Sequence, residues 1–201
     1  MLLSTELNAF RAEFMEKVPA AIRDAMTKAD LALAAGGITE RALKAGATAP
    51  DFILPDVHGN KVKLSTLLAK GPVVLSFYRG GWCPYCNAQL SALRDIEPQL
   101  NELGYQLIAI TPDSVASINK SLTDTGGQKL NYTLLSDANF AASSAFGLAY
   151  YLDEKTAAAY KGKLGSLITT EAGSEKVVLP VPAVYIVNTA GEALFSYVHI
   201  N

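Results

Sequence analysis

Residues 73–86 read Val73-Val74-Leu75-Ser76-Phe77-Tyr78-Arg79-Gly80-Gly81-Trp82-Cys83-Pro84-Tyr85-Cys86. The first half, 73–78, opens on the apolar stretch Val73-Val74-Leu75 after the breaker Gly71-Pro72 and predicts a buried strand. The second half opens a helix over 84–103: Leu90, Leu93, Ile96 and Leu100 keep helical spacing, and Pro98 is expected to kink it. Both cysteines of the chain lie at this strand-to-helix junction as C-x-x-C. Cys83 falls at the expected N-cap and Pro84 at the first helical position, where a missing N–H costs nothing. The free N–H groups and the dipole of a helix start favour an anion, and a thiolate is one. Such a cysteine drops from a pKa of ~8.5 to ~3.5–7.5. Cys86, one turn inside, is expected to be more buried, less ionised and within reach of Cys83.

Working outward, 105–111 predicts a second buried strand, and 115–122 a helix with Ser114 or Asp113 as its N-cap. A third short strand over 132–135 and a helix over 140–146, closed by Gly147, follow. Residues 148–178, with Gly162, Gly165 and Gly173, predict an irregular insertion carrying a helix over 153–163. A closing hairpin joins 183–187 to 194–198 through a turn at 188–191. Upstream, 52–54 and 62–64 flank a turn at 55–60, and Ser65 is expected to cap a short helix over 66–69. Strands alternating with helices, then a hairpin, predict an α/β fold: a mixed central sheet flanked by helices.

Residues 1–45 differ in style and predict a helical N-terminal arm preceding a domain over 46–201. Leu3, Leu7, Phe10 and Phe14 line one helical face, Pro19 interrupts, and Ile22, Met26, Ala29 and Leu33 continue the stripe until Gly36-Gly37. That face has to pack on its own domain, the simpler arrangement, or on another subunit.

Composition narrows the function. The chain has 201 residues, half of them hydrophobic and 18% charged, which suits one globular domain with an extension. Lys plus Arg is 17 and Asp plus Glu 19, a formal charge of −2, so there is no basic footprint for nucleic acid. Two cysteines do not make a disulfide scaffold. No apolar run has the length of a signal-peptide core or a membrane span. The expectation is a cytoplasmic protein in a reducing compartment, where a close cysteine pair is catalytic or metal-binding.

Three readings of the pair compete: a zinc site, inert cysteines and a redox-active dithiol. A zinc site needs four ligands, and only His58 and His199 remain, far apart in sequence. Neither a metal nor any other cofactor is therefore expected. Inert cysteines fit poorly with a helix start, two glycines and Arg79 alongside. A C-x-x-C pair at a βα junction favours the dithiol. Trp82 and Tyr85 flank the thiols as a docking surface for a reductant, a pocket wall or half-buried packing. Tyr150, Tyr151 and Tyr160 read as core packing, with a place at the border of the pocket from the insertion as the alternative, and His58 as a solvated turn residue. Pro182 precedes a strand; a cis Val181–Pro182 bond would turn the chain sharply and set Val181 against Cys83.

The stretches GATAPDFILPDVHGNKVKL, VVLSFYRGGWCPYCNAQL and LPVPAVYIVNTAGEALF resemble the peroxiredoxin-like branch of the alkyl hydroperoxide reductase/thiol-specific antioxidant family, on a thioredoxin-like fold. The resemblance covers about three quarters of the chain and is what favours the cis bond. It implies that Cys83 is the peroxidatic nucleophile and that its sulfenic acid condenses with Cys86 to a disulfide. The partners it implies are a hydroperoxide and a recycling thiol: thioredoxin, glutaredoxin or glutathione. It also implies a homodimer as one arrangement for the arm or a sheet edge.

The sequence departs from the family pattern at two places. Gly80 stands where a Thr or Ser hydroxyl is usual, and Ser76 where a Pro is usual. The family's later-strand arginine is not identifiable, which leaves Arg79 as the nearby cation. Cys83-Pro84-Tyr85-Cys86 is similar to the glutaredoxin motif and pulls toward disulfide exchange. The expected site is therefore Cys83, Cys86 and Arg79 for catalysis, with Gly80, Gly81, Trp82, Pro84, Tyr85, Val181 and Pro182 against substrate. Backbone N–H groups over 81–83 are candidate donors to the peroxide. The alternatives to a peroxidase are a thiol–disulfide oxidoreductase and a non-enzymatic redox switch.

Overall fold

The structure is a computed structural model that describes residues 9, 12–13, 15–17, 20–124, 131–164, 170, 174–198 and 200. The expectations placed on Leu3, Leu7, Phe10, Phe14, Pro19, Gly165, Gly173 and His199 lie outside the described residues, as do the side chains of Ile22 and Met26.

Five strands form the central sheet. The run at the head of the decisive stretch becomes β3 (Val73–Phe77), buried at every position. It pairs in parallel with β4 (Gln106–Thr111), which pairs in parallel with β5 (Thr133–Ser136). On its other side β3 pairs antiparallel with β8 (Ala183–Val187), the inner strand of the closing hairpin with β9 (Ala193–Val198). The order is β5-β4-β3-β8-β9. A mostly apolar strand buried on both faces belongs at the centre of such a sheet, and β3 is there.

Each face of β3 has its own core. Val73, Leu75 and Phe77 face a cluster in which Phe77, Phe146 and Tyr185 stack at centroid distances of 5.0, 6.1 and 5.2 Å. Val74 faces the other way, against Leu93 and Leu107. Leu93 comes from α4 (Pro84–Glu102), the helix that follows the cysteine junction and continues through Pro98. Its inward stripe departs from expectation at two positions. Ile96 is 42% exposed, whereas Glu97 is buried and accepts hydrogen bonds from Asn101 and, at 2.9 Å, Asn131. A carboxylate is tolerated inside because amide donors meet it there.

The upstream hairpin forms from β1 (Ile53–Pro55) and β2 (Lys61–Lys63), with Asp56 Oδ1 accepting from the His58 and Asn60 N–H groups in its turn. A short helix α3 (Leu64–Leu68) follows, but Ser65 does not cap it. Lys63 occupies the N-cap, and Asp51, 14 residues upstream, accepts from the Ser65 N–H at 3.0 Å. For α5 (Val115–Asp124) the cap is Ser114, whose Oγ accepts from Ser117 N at 3.1 Å. Asp113 is employed elsewhere.

The insertion is more regular than its glycines suggest. A ribbon of β6 (Ala149–Tyr151) and β7 (Val178–Pro180) brackets helix α7 (Glu154–Leu164), which follows the small helix α6 (Ala141–Ala145) in the helix order. Three-residue strands joined across the whole insertion leave no local signal. Past β7, the Val181–Pro182 bond is trans: the described residues include no cis peptide bond. The Val181 N–H donates to Leu148 O at 2.9 Å, so extended pairing carries the chain into β8 without a sharp turn.

In the arm, α1 (Ala20–Ala35) stops at Gly37, whose φ of 68° is one glycine adopts readily, and α2 (Ile38–Arg41) follows. Leu33 and Ile38 bury against Val181, with Tyr150, Val198 and Ile200 packed around them. This part of the arm docks on its own chain. Among the described residues no helix is long and apolar enough to cross a membrane.

Candidate functional site

The site grows from the end of β3. A central strand running into a helix leaves its last residues at the sheet's carboxyl edge, where α/β folds place their chemistry. Arg79, Gly80, Gly81 and Trp82 make the crossing, and Cys83 is the N-cap of α4 in extended conformation, with Pro84 in the first turn. The Cys83 Sγ accepts from the Cys86 N–H at 3.4 Å, as an N-cap acceptor does. Both thiols are buried, 3% and 2% exposed, and both are free.

Their acidities are split. Cys83 is drawn down to about 7, first by a hydrogen bond from the Cys86 thiol, against the opposing effect of burial; the Arg79 charge and the Cys86 and Tyr85 N–H groups add to the lowering. Cys86 is pushed well above the ordinary thiol range by donating to Cys83, by burial and by the neighbouring charge. One thiol is thus partly ionised at neutral pH and the other holds its proton.

Arg79 is half-buried, and one terminal nitrogen donates to Ile200 O at 3.3 Å. Its Nε is buried with no hydrogen-bond partner. Burial works against its charge, but Tyr150, Cys83, Cys86 and Tyr160 outweigh that and keep it cationic. Tyr150 and Tyr160 thus stand around the guanidinium rather than in a remote core. Tyr160 also meets the Trp82 ring edge-on, centroids 5.8 Å apart. Tyr151 is exposed, beneath Lys176.

The glycines are fixed by contacts. Gly81 donates its N–H to Asp113 Oδ2 at 2.8 Å, and its carbonyl accepts from Asn87 Nδ2 at 2.8 Å. The Cys83 N–H donates to Gly80 O at 3.1 Å. Two of the three backbone donors expected to face a peroxide are therefore engaged, one by Asp113 and one within the loop. Gly80 has φ 139°, and a Cβ there would lie 2.5 Å from Trp82 Nε1, 2.8 Å from Trp82 Cδ1 and 3.0 Å from Asp113 Oδ1. Neither threonine nor serine fits without displacing the indole.

Asp113 is the member that sequence reasoning missed. Burial raises its carboxyl, against the Gly81 N–H and the Thr111 hydroxyl, which donates at 2.9 Å. An acid just past β4 is 30 positions from Cys83 and reaches the loop only through the parallel β3–β4 pairing. Of the other expected residues, Trp82 and Tyr85 are half-buried beside the thiols, and Pro84 is exposed. Val181 is fully buried with Leu33 and Ile38 instead, and Pro182 is half-buried next to it.

Residues 45–193 match the AhpC/TSA family along their length. The chain belongs to the AhpC/TSA family. Among curated relatives, peroxiredoxin Bcp of Escherichia coli is 33% identical over 106 residues, 53% of this chain and 65% of that one. The thiol-disulfide oxidoreductase ResA of Bacillus thuringiensis is 31% identical over 87 residues, 43% of this chain and 49% of that one. The chain thus spans about half to two thirds of the length of these relatives. Peroxidoxin BcpB of Mycobacterium tuberculosis superposes with a TM-score of 0.61 at 28% identity, over 78% of this chain and 86% of that one. The thioredoxin-like fold expected from the quoted stretches is the fold of this AhpC/TSA member.

Proposed function

We propose that the protein is a thiol-dependent peroxidase acting on hydrogen peroxide or organic hydroperoxides. The observation that carries this is the pair of unequal thiols: Cys83, acidic at about 7 at the start of α4, and Cys86, protonated one turn inside. The Cys83 thiolate attacks the hydroxyl oxygen of the hydroperoxide. The S–O bond forms as the O–O bond breaks, sulfur is oxidised to the sulfenic acid, and the leaving alkoxide or hydroxide takes a proton from water. The Cys86 sulfur then displaces water from the sulfenic acid to give a disulfide. An external thiol of the thioredoxin, glutaredoxin or glutathione kind restores the dithiol. Arg79 is the cation that holds the thiolate and the leaving oxygen. Residues 1–45 serve as an arm and 46–201 as the catalytic domain, working in the reducing cytoplasm.

Acidity alone is not enough. Lowering a thiol from ~8.5 to about 7 raises its ionised fraction at pH 7 roughly 16-fold, while nucleophilicity falls about fivefold, if peroxide attack follows the slope of thiol exchange. The net gain of about threefold leaves the rest to donors that stabilise the departing oxygen.

The test is a stopped-flow rate for reduced protein with hydrogen peroxide and then cumene hydroperoxide, read by Trp82 fluorescence, with intact mass assigning the product. The expected result is a rate orders of magnitude above free cysteine that vanishes in Cys83→Ser. A rate matching an ordinary thiolate of that acidity sinks the proposal. The second reading, a thiol–disulfide oxidoreductase, is favoured by the likeness to ResA and by the glutaredoxin-like motif. It predicts fast reduction of a mixed glutathione disulfide in place of fast peroxide reduction.

A further inference from the structure

The chemistry needs a donor at the breaking O–O bond, and two of the loop's three backbone N–H groups are already engaged, by Asp113 and by Gly80. What the structure holds in reserve is side-chain N–H. One is the Arg79 Nε, buried without a partner. The other is the Trp82 indole, whose Nε1 donates to no acceptor among the described residues.

The position of that indole is tightly fixed. Its N–H edge, not its benzene edge, lies over Gly80, in the volume that any side chain there would occupy. A φ of 139° and a 2.5 Å approach of Nε1 both demand glycine. Tyr160 of α7 meets the ring edge-on from the insertion. The ring packs with Ala157, Val177 and Leu179 on one side and with the Cys83 cluster on the other. These apolar neighbours lie beside the Asp113 carboxylate, whose Oδ1 approaches the same Gly80 position, and a partly dehydrated setting of this kind strengthens a hydrogen bond to an incoming ligand.

We propose that the Trp82 Nε1–H orients the hydroperoxide at Cys83 by donating to the oxygen that leaves, with Gly80 conserving the space and Tyr160 bracing the ring. As the sulfur–oxygen bond forms and the oxygen–oxygen bond breaks, the electron pair goes to the leaving oxygen. The indole donates a hydrogen bond to that oxygen and keeps its proton, which comes from water. The proposal rests on the peroxidase reading and names the donor within it.

The experiment compares wild type, Trp82→Phe and Trp82→His in single-turnover oxidation by hydrogen peroxide and by cumene hydroperoxide. Timed quenching and intact mass give the readout, because the fluorophore is lost. Reaction with 4,4′-dithiodipyridine across pH is the control, since it reports thiolate reactivity without an O–O bond. Trp82→Phe should lower both peroxide rates about 10- to 100-fold, as loss of one preorganised donor does, while the dithiodipyridine rate and its midpoint stay put. Trp82→His, which keeps an N–H, should recover much of the loss. Peroxide rates unchanged in Trp82→Phe, an equal fall in both reactions, or a histidine variant no better than phenylalanine would each overturn the proposal. A wild-type peroxide rate no faster than an ordinary thiolate instead removes the underlying reading. An arm independent of those variants uses the single indole resonance in Cys83→Ser protein. Added hydrogen peroxide should shift its N–H signal, and no shift overturns the assignment.

Discussion

Asp113 and Asp137 stand at matching places, just past the ends of the neighbouring strands β4 and β5, and burial raises both carboxyls. Their partners differ. Asp137 accepts from the Ala142 N–H at 3.0 Å, the Ser143 N–H at 2.8 Å and the Ser143 hydroxyl at 2.6 Å, all at the start of α6 a few residues on. Asp113 accepts from the Gly81 N–H, 32 residues back in sequence, and from Thr111. The first closes a local corner of the fold. The second ties a strand end to the cysteine loop. The same buried acid fastens the scaffold at one strand and the reactive loop at the next, and the difference lies in the sequence distance of the donor.

The comparison can be broken most forcefully at Asp137. Asp137→Ala strands three buried donors and should cost about 2–4 kcal/mol in urea unfolding, while the peroxide rate per folded molecule stays near wild type. Loss of that rate would erase the distinction. Asp113→Ala should do the reverse: a peroxide rate about tenfold lower, with a stability cost below about 2 kcal/mol. Next in size, Arg79→Met should raise the Cys83 midpoint from about 7, because the cation favours the thiolate. Dithiodipyridine reactivity at pH 6 should then fall about three- to tenfold, and an unmoved pH profile would detach Arg79 from the thiol. The smallest effect is a sign. A carboxyl raised in the folded state contributes stability that is complete below its unfolded pKa and is lost as pH rises through the folded one. Asp137→Asn should therefore compare worse with wild type at acid pH than at pH 7, and urea midpoints at the two values check it.

The sheet was legible where one residue type dominated a window. Four of the five residues over 73–77 are apolar, with Ser76 the single polar one, and β3 is buried throughout; the Cys83-Pro84 pair marks the start of α4. Burial patterns failed where a polar partner came from far away. Glu97 replaces Ile96 on the inward face because Asn131 reaches it, and Asp51 takes the capping role expected of Ser65. The β6–β7 ribbon was invisible because its three-residue strands are joined only across an entire insertion. In the site, the thiols and Arg79 could be read from adjacency. Asp113 and the Tyr150–Tyr160 surround of Arg79 could not, since strand pairing and the insertion alone carry them there. Gly80 was visible as a departure, but its reason, the Trp82 ring, is a matter of three-dimensional space.

The bond from the Cys86 N–H to the Cys83 sulfur has a thermodynamic consequence. A helix start prefers a charged acceptor, and this one carries full charge only while the sulfur is a thiolate. In the proposed cycle, oxidation to a Cys83–Cys86 disulfide withdraws that charge from the opening turn of α4. The reduced protein is therefore the better-capped one, and the couple leans toward its dithiol form. Within that cycle, a disulfide that its own helix disfavours is the more readily reduced by an external thiol.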